Sequence, residues 1–339
     1  MTSEAELLQQ RAESGDSGAQ MTLAILLDNR GMHDHALRWL REAANSGHIE
    51  AQYVLGARLV VGRAAPFSPE EGAKWISTAA QQGSPEALSL MSVLASMTGD
   101  WEEAITFTKA AAARGAARAR QQIALLGNPK QFDVELWDGS IAPVWKHQAP
   151  RVGVIERFIP QAFCNWLIAR AQPKLQAARL KAPAQGPHAN YRTNAGAGFS
   201  LLESDLILQM INARVADAIG VPLQNQEPTN VLNYQRGEEY KPHFDFITAS
   251  DANAPELSST GQRVATVLIY LNDGYEGGDT VFPTLNWSFK GKPGDALVFW
   301  NVNEAGEPDR KTLHAGAPVT RGEKWLYSKW VHANPYPLI

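Results

Sequence analysis

The sequence predicts an α+β chain of more than one domain, in which a solenoid of helical hairpins precedes a sheet sandwich or barrel flanked by helices. Three observations support this prediction. The chain has 339 residues, about twice the usual length of a single domain. Its first third repeats a pattern of glycine and alanine. Its second half contains several segments rich in β-branched and aromatic residues, as strands are.

The repeat occupies residues 1–127. Four glycines recur at intervals of 32, 36 and 32 residues, and these are Gly15, Gly47, Gly83 and Gly115. Alanine lies four positions after each glycine and three before it, and a large apolar residue lies eight before it, at Leu7, Trp39, Trp75 and Phe107. Glycine ends a helix, alanine lets helices approach closely, and the large residue fills the space between successive hairpins. Each unit is therefore predicted to be a helical hairpin, and the second is followed by a longer loop in "VVGRAAPFSPEEG".

This region resembles the Sel-one-like repeats, relatives of the tetratricopeptide repeats, in its alanine spacing and in segments such as "ALRWLREAANSG". The resemblance implies a curved solenoid whose concave face suits peptides or proteins. A purely structural or dimerisation role is the alternative. Trp39 and Trp75 hold the packing position of the repeat and are predicted to be core residues.

Residues 128–150 mix proline, glycine and isolated aromatic residues without a helical period, so we predict a linker with one short hairpin. A second domain is predicted over residues 151–339. It opens with a helix in "PQAFCNWLIARAQPKLQAA" and continues with strands in "NVLNYQR", "RVATVLIYLN", "ALVFWNV" and "KWLYSKWVHA".

Charge and cysteine content restrict the classes of partner. Lysine and arginine total 31 against 35 acidic residues, so no general basic surface is expected to hold nucleic acid or an anionic membrane. The start of the sequence lacks an export signal and no segment has the apolar length of a membrane span, which predicts a cytoplasmic protein. The one cysteine, Cys164, lies in an apolar helical segment and is predicted to be a buried structural thiol.

The segment "YKPHFDFI" contains a pair of candidate metal ligands, His243 and Asp245. Residues two apart on a strand point to the same face, so both side chains are predicted to converge on one ion. A third ligand would come from His314 or His332, the later histidines. Two histidines and one carboxylate leave positions open and suit non-haem Fe(II), although zinc accepts the same ligands.

Lys324 follows His314 by ten residues, after a turn signal in the segment 320–322. We predict a hairpin that carries Lys324 back alongside the strand of His314. A buried lysine is costly unless an anion pairs with it. The distal carboxylate of 2-oxoglutarate is such an anion, and the other end of that molecule chelates Fe(II).

Residues 151–339 resemble the 2-oxoglutarate and Fe(II)-dependent oxygenases, and among them the prolyl 4-hydroxylases of collagen, plant and algal type. The stretches that carry the resemblance are "NYQRGEEYKPHFD", "RVATVLIYLNDGYEGGDTVFP", "KPGDALVFW" and "GEKWLYSKWVH". The resemblance implies a double-stranded β-helix, or jelly roll, that uses Fe(II), 2-oxoglutarate, O2 and ascorbate. It also implies that His243, Asp245 and His314 bind the metal and that Lys324 binds the distal carboxylate.

Other residues receive roles from the same resemblance. Tyr234, Thr280 and Tyr240 match positions that assist with 2-oxoglutarate or lie near the site, and the positions that line the cleft for the target prolyl residue are Glu227, Arg263, Trp330 and His332. Two departures concern the substrate side. Asp279 stands where glutamate is usual, and the segment "KAPAQGPHANYRTNAGAGFS" is only loosely similar to the mobile substrate loop of the family.

The function predicted from these residues is hydroxylation of a prolyl residue in a peptide or protein, with release of succinate and CO2. The helical repeats are predicted to recruit the substrate or a partner. The alternatives are an oxygenase that acts on a free amino acid or a non-prolyl side chain, and a non-catalytic peptide-binding module. Neither a nucleic acid nor a membrane is predicted as a partner.

Overall fold

The computed structural model describes residues 4–133, 137, 141–177, 192–248 and 254–337. These residues form two compact units, one made of residues up to 124 together with 201–209 and the other of 125–200 and 210–337. The limits of the predicted linker, 128 and 150, stay a prediction. No helix within these described ranges combines the length and the hydropathy needed to cross a membrane.

The first unit contains eight helices arranged as four consecutive pairs: α1 Glu4–Glu13, α2 Ser17–Asn29, α3 His33–Asn45, α4 Ile49–Val61, α5 Pro69–Gln81, α6 Pro85–Met97, α7 Trp101–Ala113 and α8 Ala117–Leu126. The four repeated glycines lie between the two helices of each pair, all with positive φ, a conformation that costs glycine little. The residue after the glycine then caps the next helix. Asp16, His48 and Ser84 each accept a hydrogen bond from the backbone of an alanine three positions on. The predicted helical hairpins are therefore confirmed, together with the longer loop between α4 and α5.

Small residues determine how closely the helices of the first unit approach. The alanines four positions after the repeated glycines are at most 2% exposed. Gly56 of α4 and Gly72 of α5 touch backbone to backbone, since a Cβ added to either would lie 2.7 Å from the carbonyl oxygen of the other. Leu7 was predicted to fill the space between successive hairpins, and this prediction was wrong, because its side chain is 52% exposed. α1 is the first helix of the stack in the described chain, so no earlier hairpin there covers the position that packs in later units.

The second unit is built on β-sheets. The larger sheet has eight strands in the order β1-β2-β11-β7-β14-β5-β4-β3, and the smaller has four in the order β10-β9-β12-β6. A two-stranded ribbon pairs β13 with β8. The strands are β1 Val144–Gln148, β2 Arg151–Ile155, β3 Gln176–Ala177, β4 Ala195–Phe199, β5 Thr229–Tyr234, β6 Tyr240–His243, β7 Arg263–Tyr270, β8 Glu276–Gly277, β9 Thr280–Phe282, β10 Trp287–Phe289, β11 Ala296–Trp300, β12 His314–Gly316, β13 Val319–Arg321 and β14 Lys324–His332. The predicted α+β class, with a helical solenoid followed by a domain of packed sheets, is confirmed.

Within the described ranges two further helices flank the sheets, α9 Gln161–Ala171 and α10 Leu206–Ile219. The side-chain oxygen of Asn212 on α10 accepts hydrogen bonds from Thr229 on β5 and Tyr327 on β14. α10 therefore packs against one face of the larger sheet and leaves the opposite face to the pocket described below. Cys164 on α9 is fully buried, and burial raises the pKa of its thiol to about 12, as expected of a structural cysteine.

Two local predictions were wrong. β14 pairs with β5 and β7, whereas the strand of His314, β12, pairs with β6 and β9. His314 and Lys324 therefore belong to different sheets and do not form a hairpin. Asp245 lies beyond the end of β6, in a bend, so it does not share a strand with His243.

Candidate active site

Three side chains with metal-binding atoms converge at one end of the smaller sheet. His243 ends β6, His314 begins β12, and the two are directly paired in the antiparallel register. Their Nε2 atoms lie 3.6 Å and 3.5 Å from the two carboxylate oxygens of Asp245. One donor atom from each residue lies within 4.8 Å of the other two, and among the described residues this is the one group of its kind. All three side chains are almost completely buried.

Backbone hydrogen bonds orient both imidazole rings. The Nδ1 atom of His243 lies 2.8 Å from the carbonyl oxygen of Lys241, and that of His314 lies 2.9 Å from the carbonyl oxygen of Thr312. A carbonyl oxygen only accepts, so each Nδ1 carries the proton and donates. Each Nε2 then keeps a free lone pair directed at the cluster. This is how ligating histidines are held in metal sites.

The protonation states suit a cation. Burial, reinforced by the neighbouring His314, lowers the pKa of His243 to about 3, so this ring is neutral at physiological pH. Burial disfavours the charged form of Asp245, but the two histidines outweigh it and hold the pKa of this carboxyl below its usual range. A neutral imidazole and an ionised carboxylate are the forms that bind metal.

Lys324 lies in the same pocket, at the start of β14. It is 2% exposed, and its Nζ donates to the carbonyl oxygen of Gly278 at 2.5 Å. None of the ion pairs between described residues includes it. Burial lowers its pKa to about 7, although Asp279 opposes the shift. The pocket therefore contains a desolvated cation without a carboxylate partner, which is a strong site for a small anion.

The pocket lies between the two sheets, and both sheets contribute to its wall: Arg192, Leu232, Tyr234, Tyr240, His243, Asp245, Leu268, Thr280, His314, Gly316, Lys324, Leu326, Ser328 and Trp330. Three of these were predicted to assist with the co-substrate. The ring of Tyr234 lies 5.5 Å from Lys324 Nζ. Thr280 is buried and shares a 2.7 Å hydrogen bond with the hydroxyl of Tyr270. Tyr240 stacks on His243, with ring centroids 3.4 Å apart.

The four residues predicted to line the substrate cleft form a connected group. The carboxylate of Glu227 accepts from Arg263 Nε at 2.6 Å and lies 2.7 Å from His332 Nε2. The guanidinium of Arg263 lies over the ring of Trp330, 4.1 Å from its centroid. Of the four, Trp330 lines the pocket, while Glu227 and His332 lie behind it and are buried. The structure thus brings these residues together, with Trp330 as the one that faces the cavity.

Some pocket residues were not identified from the sequence. Leu268 lines the cavity on β7, and Thr266 lies two positions before it, where it bonds to Asp245. Residues two apart on a strand share a face. Once one residue of "RVATVLIYLN" is known to point into the pocket, the alternation along this strand therefore predicts that its neighbours two positions away do so too. The predicted substrate loop spans residues 181–200, and its first part, 181–191, lies outside the described residues. The prediction was wrong for Ala195–Phe199, which form strand β4. Arg192, between these two parts, stacks over the ring of Tyr240 at 4.9 Å.

Comparison with known proteins agrees with this geometry. The family described as the 2OG-Fe(II) oxygenase superfamily matches residues 229–332. A probable prolyl 4-hydroxylase of Arabidopsis thaliana is 33% identical over 209 residues, which are 56% of this chain and 71% of that protein. The chain belongs to the prolyl 4-hydroxylase family. It is a 2-oxoglutarate-dependent dioxygenase, and the family resemblance predicted from its motifs is confirmed.

Two solved structures are also similar to parts of this prolyl 4-hydroxylase homologue. A viral collagen prolyl hydroxylase from Paramecium bursaria Chlorella virus 1, in complex with 2-oxoglutarate, is 28% identical, with a TM-score of 0.43, over 54% of this chain and 96% of the viral one. A Sel1 repeat protein from Oxalobacter formigenes is 30% identical, with a TM-score of 0.32, over 34% of this chain and 94% of its own.

The residues present fit the cofactors that the family uses, Fe(II), 2-oxoglutarate and O2. Two imidazoles and one carboxylate form a donor set typical of non-haem Fe(II) in oxygenases. These three donors lie in a buried pocket that also contains the unpaired cation of Lys324. Such a pocket offers one end to a chelating group and the other to a carboxylate, and 2-oxoglutarate carries both.

Proposed function

We propose that this enzyme hydroxylates a prolyl residue of a peptide or protein and converts 2-oxoglutarate to succinate and CO2. The observation that carries the proposal is the presence of the His243, Asp245 and His314 donors and the buried ammonium of Lys324 in one pocket. Membership of the prolyl 4-hydroxylase family supports the choice of a prolyl substrate over a free amino acid or another side chain.

In this proposal the metal is held by the two histidine Nε2 atoms and the carboxylate of Asp245. Bound Fe(II) supplies the activation of O2 that oxidises a C–H bond. The ammonium of Lys324 holds the distal carboxylate of 2-oxoglutarate, and Tyr234 and Thr280 beside it complete that end of the pocket. Because these side chains are already buried, and Lys324 and Thr280 are hydrogen-bonded, they orient the co-substrate with little reorganisation.

The apolar wall of the pocket suits the proposed substrate. Tyr240 and Trp330 present aromatic rings to the cavity, and leucines line it on three strands of the larger sheet. A pyrrolidine ring packs well on aromatic faces, and the wall excludes water from the reacting C–H bond. The contacts of Glu227 and Arg263 behind Trp330 hold that ring in place. We therefore assign this group to substrate positioning.

The experiment is incubation of the anaerobically purified chain with Fe(II), 2-oxoglutarate, ascorbate and cell-derived peptides, followed by exposure to O2 and mapping of one-oxygen mass gains. We expect gains on proline and succinate formation. His243→Ala and His314→Ala should abolish both. Consumption of 2-oxoglutarate without gains on proline would contradict the prolyl substrate, and normal turnover in either variant would contradict the ligand assignment. A reaction without ascorbate tests that predicted cofactor, and cell fractionation tests the predicted cytoplasmic location.

We further propose that the helical repeats recruit a protein substrate or partner. A groove on the first unit supports this, and it is lined by Ile49, Glu50, Tyr53, Val54, Gln82, Gly83, Ser84, Pro85 and Glu86. Ile49 is 39% exposed, and Leu26 on α2 is an equally exposed control that does not line the groove. Ile49→Asp should raise the Michaelis constant for a protein substrate, with no effect on uncoupled 2-oxoglutarate consumption. The same constant in Ile49→Asp and Leu26→Asp would refute a role for this groove.

A further inference from the structure

A chain of hydrogen bonds reaches Asp245 from the interior of the larger sheet. The hydroxyl of Thr266 lies 2.8 Å from Oδ2 of Asp245, and Nδ2 of Asn301 lies 3.0 Å from the same hydroxyl oxygen. Both Thr266 and Asn301 are completely buried. Neither side chain lines the pocket, and neither has a role in the function proposed above.

The donors and acceptors in this series of hydrogen bonds follow from the chemistry of the groups at its two ends. An ionised carboxylate only accepts, so the Thr266 hydroxyl must donate its proton to Asp245. The oxygen of that hydroxyl then accepts from the Asn301 amide, which supplies the donor. With its proton committed to Asp245, the hydroxyl is held in one rotamer by Asn301.

Backbone hydrogen bonds hold both side chains of this hydrogen-bonded series in place. Thr266 lies within β7, where it pairs with Phe299 of β11 on one side and with Trp330 of β14 on the other. Asn301 follows β11 directly. Its N–H donates to the carbonyl oxygen of Val264 at 2.8 Å, and its own carbonyl oxygen accepts from Asp309 at 2.9 Å. Both side chains therefore project from fixed points of the larger sheet.

Asp245 needs such support more than the two histidines do. Each histidine lies on a strand of the smaller sheet and is oriented by the backbone carbonyl two positions before it. Asp245 lies in a bend past the end of β6, so the strand ladder does not define the rotation of its carboxylate. The hydrogen bond from the Thr266 hydroxyl, which lies on the larger sheet, orients the carboxylate instead.

We infer that Thr266 and Asn301 are positioning residues that set the orientation of the Asp245 carboxylate for the metal ion. This inference rests on the proposed function, because it takes Asp245 as a ligand. Hydrogen-bond partners of metal ligands commonly contribute about 10- to 100-fold to metal affinity. If Thr266 only satisfied a buried carboxylate, its loss would lower stability and leave metal affinity unchanged.

The test measures Mn2+ binding to the full chain without substrate, by titration under conditions where every variant is folded. We expect Thr266→Val to weaken Mn2+ binding by about 10- to 100-fold, and Thr266→Ser, which keeps the hydroxyl, to bind Mn2+ with nearly wild-type affinity. Thr108→Val is the matched control. Thr108 is also a buried threonine with a hydrogen-bonded hydroxyl, but it lies on α7 and bonds to Ser92. Its loss should leave Mn2+ binding unchanged.

Asn301→Leu tests the hydrogen bond from Asn301 to the Thr266 hydroxyl. It also replaces Thr266→Val as the test if that variant does not fold. We expect a smaller loss, about tenfold at most, and no further loss when it is combined with Thr266→Val, because Asn301 acts through Thr266. Wild-type Mn2+ affinity in Thr266→Val, or in Asn301→Leu if only that variant folds, would overturn the inference. Failure of the proposed function looks different, because wild type and His243→Ala would then bind Mn2+ equally poorly.

Discussion

Replacement of Lys324 by methionine separates the anion-binding half of the pocket from the metal-binding half. Methionine keeps the length of the apolar stem and removes the ammonium, so the packing of the stem against its neighbours is largely retained. The variant should bind metal normally and bind 2-oxoglutarate poorly. The reason is that Lys324 is a buried cation of the pocket in no ion pair between described residues, whereas the other cation of the wall, Arg192, bonds to Asn194 and stacks on Tyr240.

The burial of Lys324 sets the magnitude. Its pKa falls from 10.5 to about 7, which corresponds to roughly 5 kcal/mol of preference for the neutral form. A carboxylate that pairs with the ammonium recovers free energy of the same order. Truncating one partner of a buried charge pair costs about 2–5 kcal/mol. The Kd for 2-oxoglutarate should therefore rise by about 30- to 5,000-fold.

Calorimetric titration of the Mn2+-loaded protein under anaerobic conditions measures this change. A second ligand, 2-oxopentanoate, has the same chain length but lacks the distal carboxylate. Wild type should prefer 2-oxoglutarate strongly, and Lys324→Met should bind the two ligands with similar affinity. Above pH 7 binding to wild type should take up a proton, because the free lysine loses its proton near that pH and the bound form needs it.

Lys329→Met is the matched control. Lys329 lies on the same strand with the same 2% exposure, and burial lowers its pKa to about 7 as well. It lies an odd number of positions from Lys324, so it points to the opposite face of β14, where its Nζ donates to the backbone carbonyl oxygen of Glu227 and to the hydroxyl of Thr229. Its replacement should change stability and leave 2-oxoglutarate affinity unchanged. If Lys324→Met still distinguished the two ligands, the assignment of Lys324 would be refuted.

The remaining predictions concern stability and the substrate group. Between about pH 3 and 6.5 the unfolded chain binds a proton that folded His243 does not, so the metal-free protein should lose stability as pH falls through this window; urea midpoints that stay level would contradict this. Gly56→Ala should destabilise the first unit by about 1–3 kcal/mol, because its Cβ would meet the carbonyl oxygen of Gly72, and circular dichroism during urea unfolding measures the loss. Glu227→Gln should cost about 3–5 kcal/mol, since it leaves the buried charge of Arg263 unpaired. It should also raise the Michaelis constant for a prolyl peptide, and an unchanged constant would argue against the assigned substrate role.

The sequence revealed the repeats well because their packing is local. A glycine that must adopt positive φ and an alanine at each close contact recur at fixed spacing, so each hairpin carries its own signal. The exception is Leu7, whose exposure depends on what lies next to its hairpin. That information is not contained in the repeat itself.

The candidate site was harder to derive from sequence because its residues come together through contacts that are distant along the chain. The residue types and their order identified His243, Asp245, His314 and Lys324, but the arrangement of strands was not local. Ten residues between His314 and Lys324 suggested a hairpin, whereas the chain inserts the short strand β13 and crosses to the other sheet. Thr266 gave no motif signal, since its role depends on Asp245 reaching it from 21 positions away in the chain.

The distribution of the site over two sheets explains how the metal ligands and the lysine ammonium are held at a fixed separation. His243 and His314 lie on paired strands of the smaller sheet, and Lys324 lies on a strand of the larger sheet. The ring of Phe299 from the larger sheet packs against His314, with centroids 4.7 Å apart, and close packing of this kind transmits displacement with little loss. The distance between the donors and the ammonium is thus a property of the packed core between the sheets. A flexible loop could not hold that distance, and a co-substrate bound at both of its ends requires it.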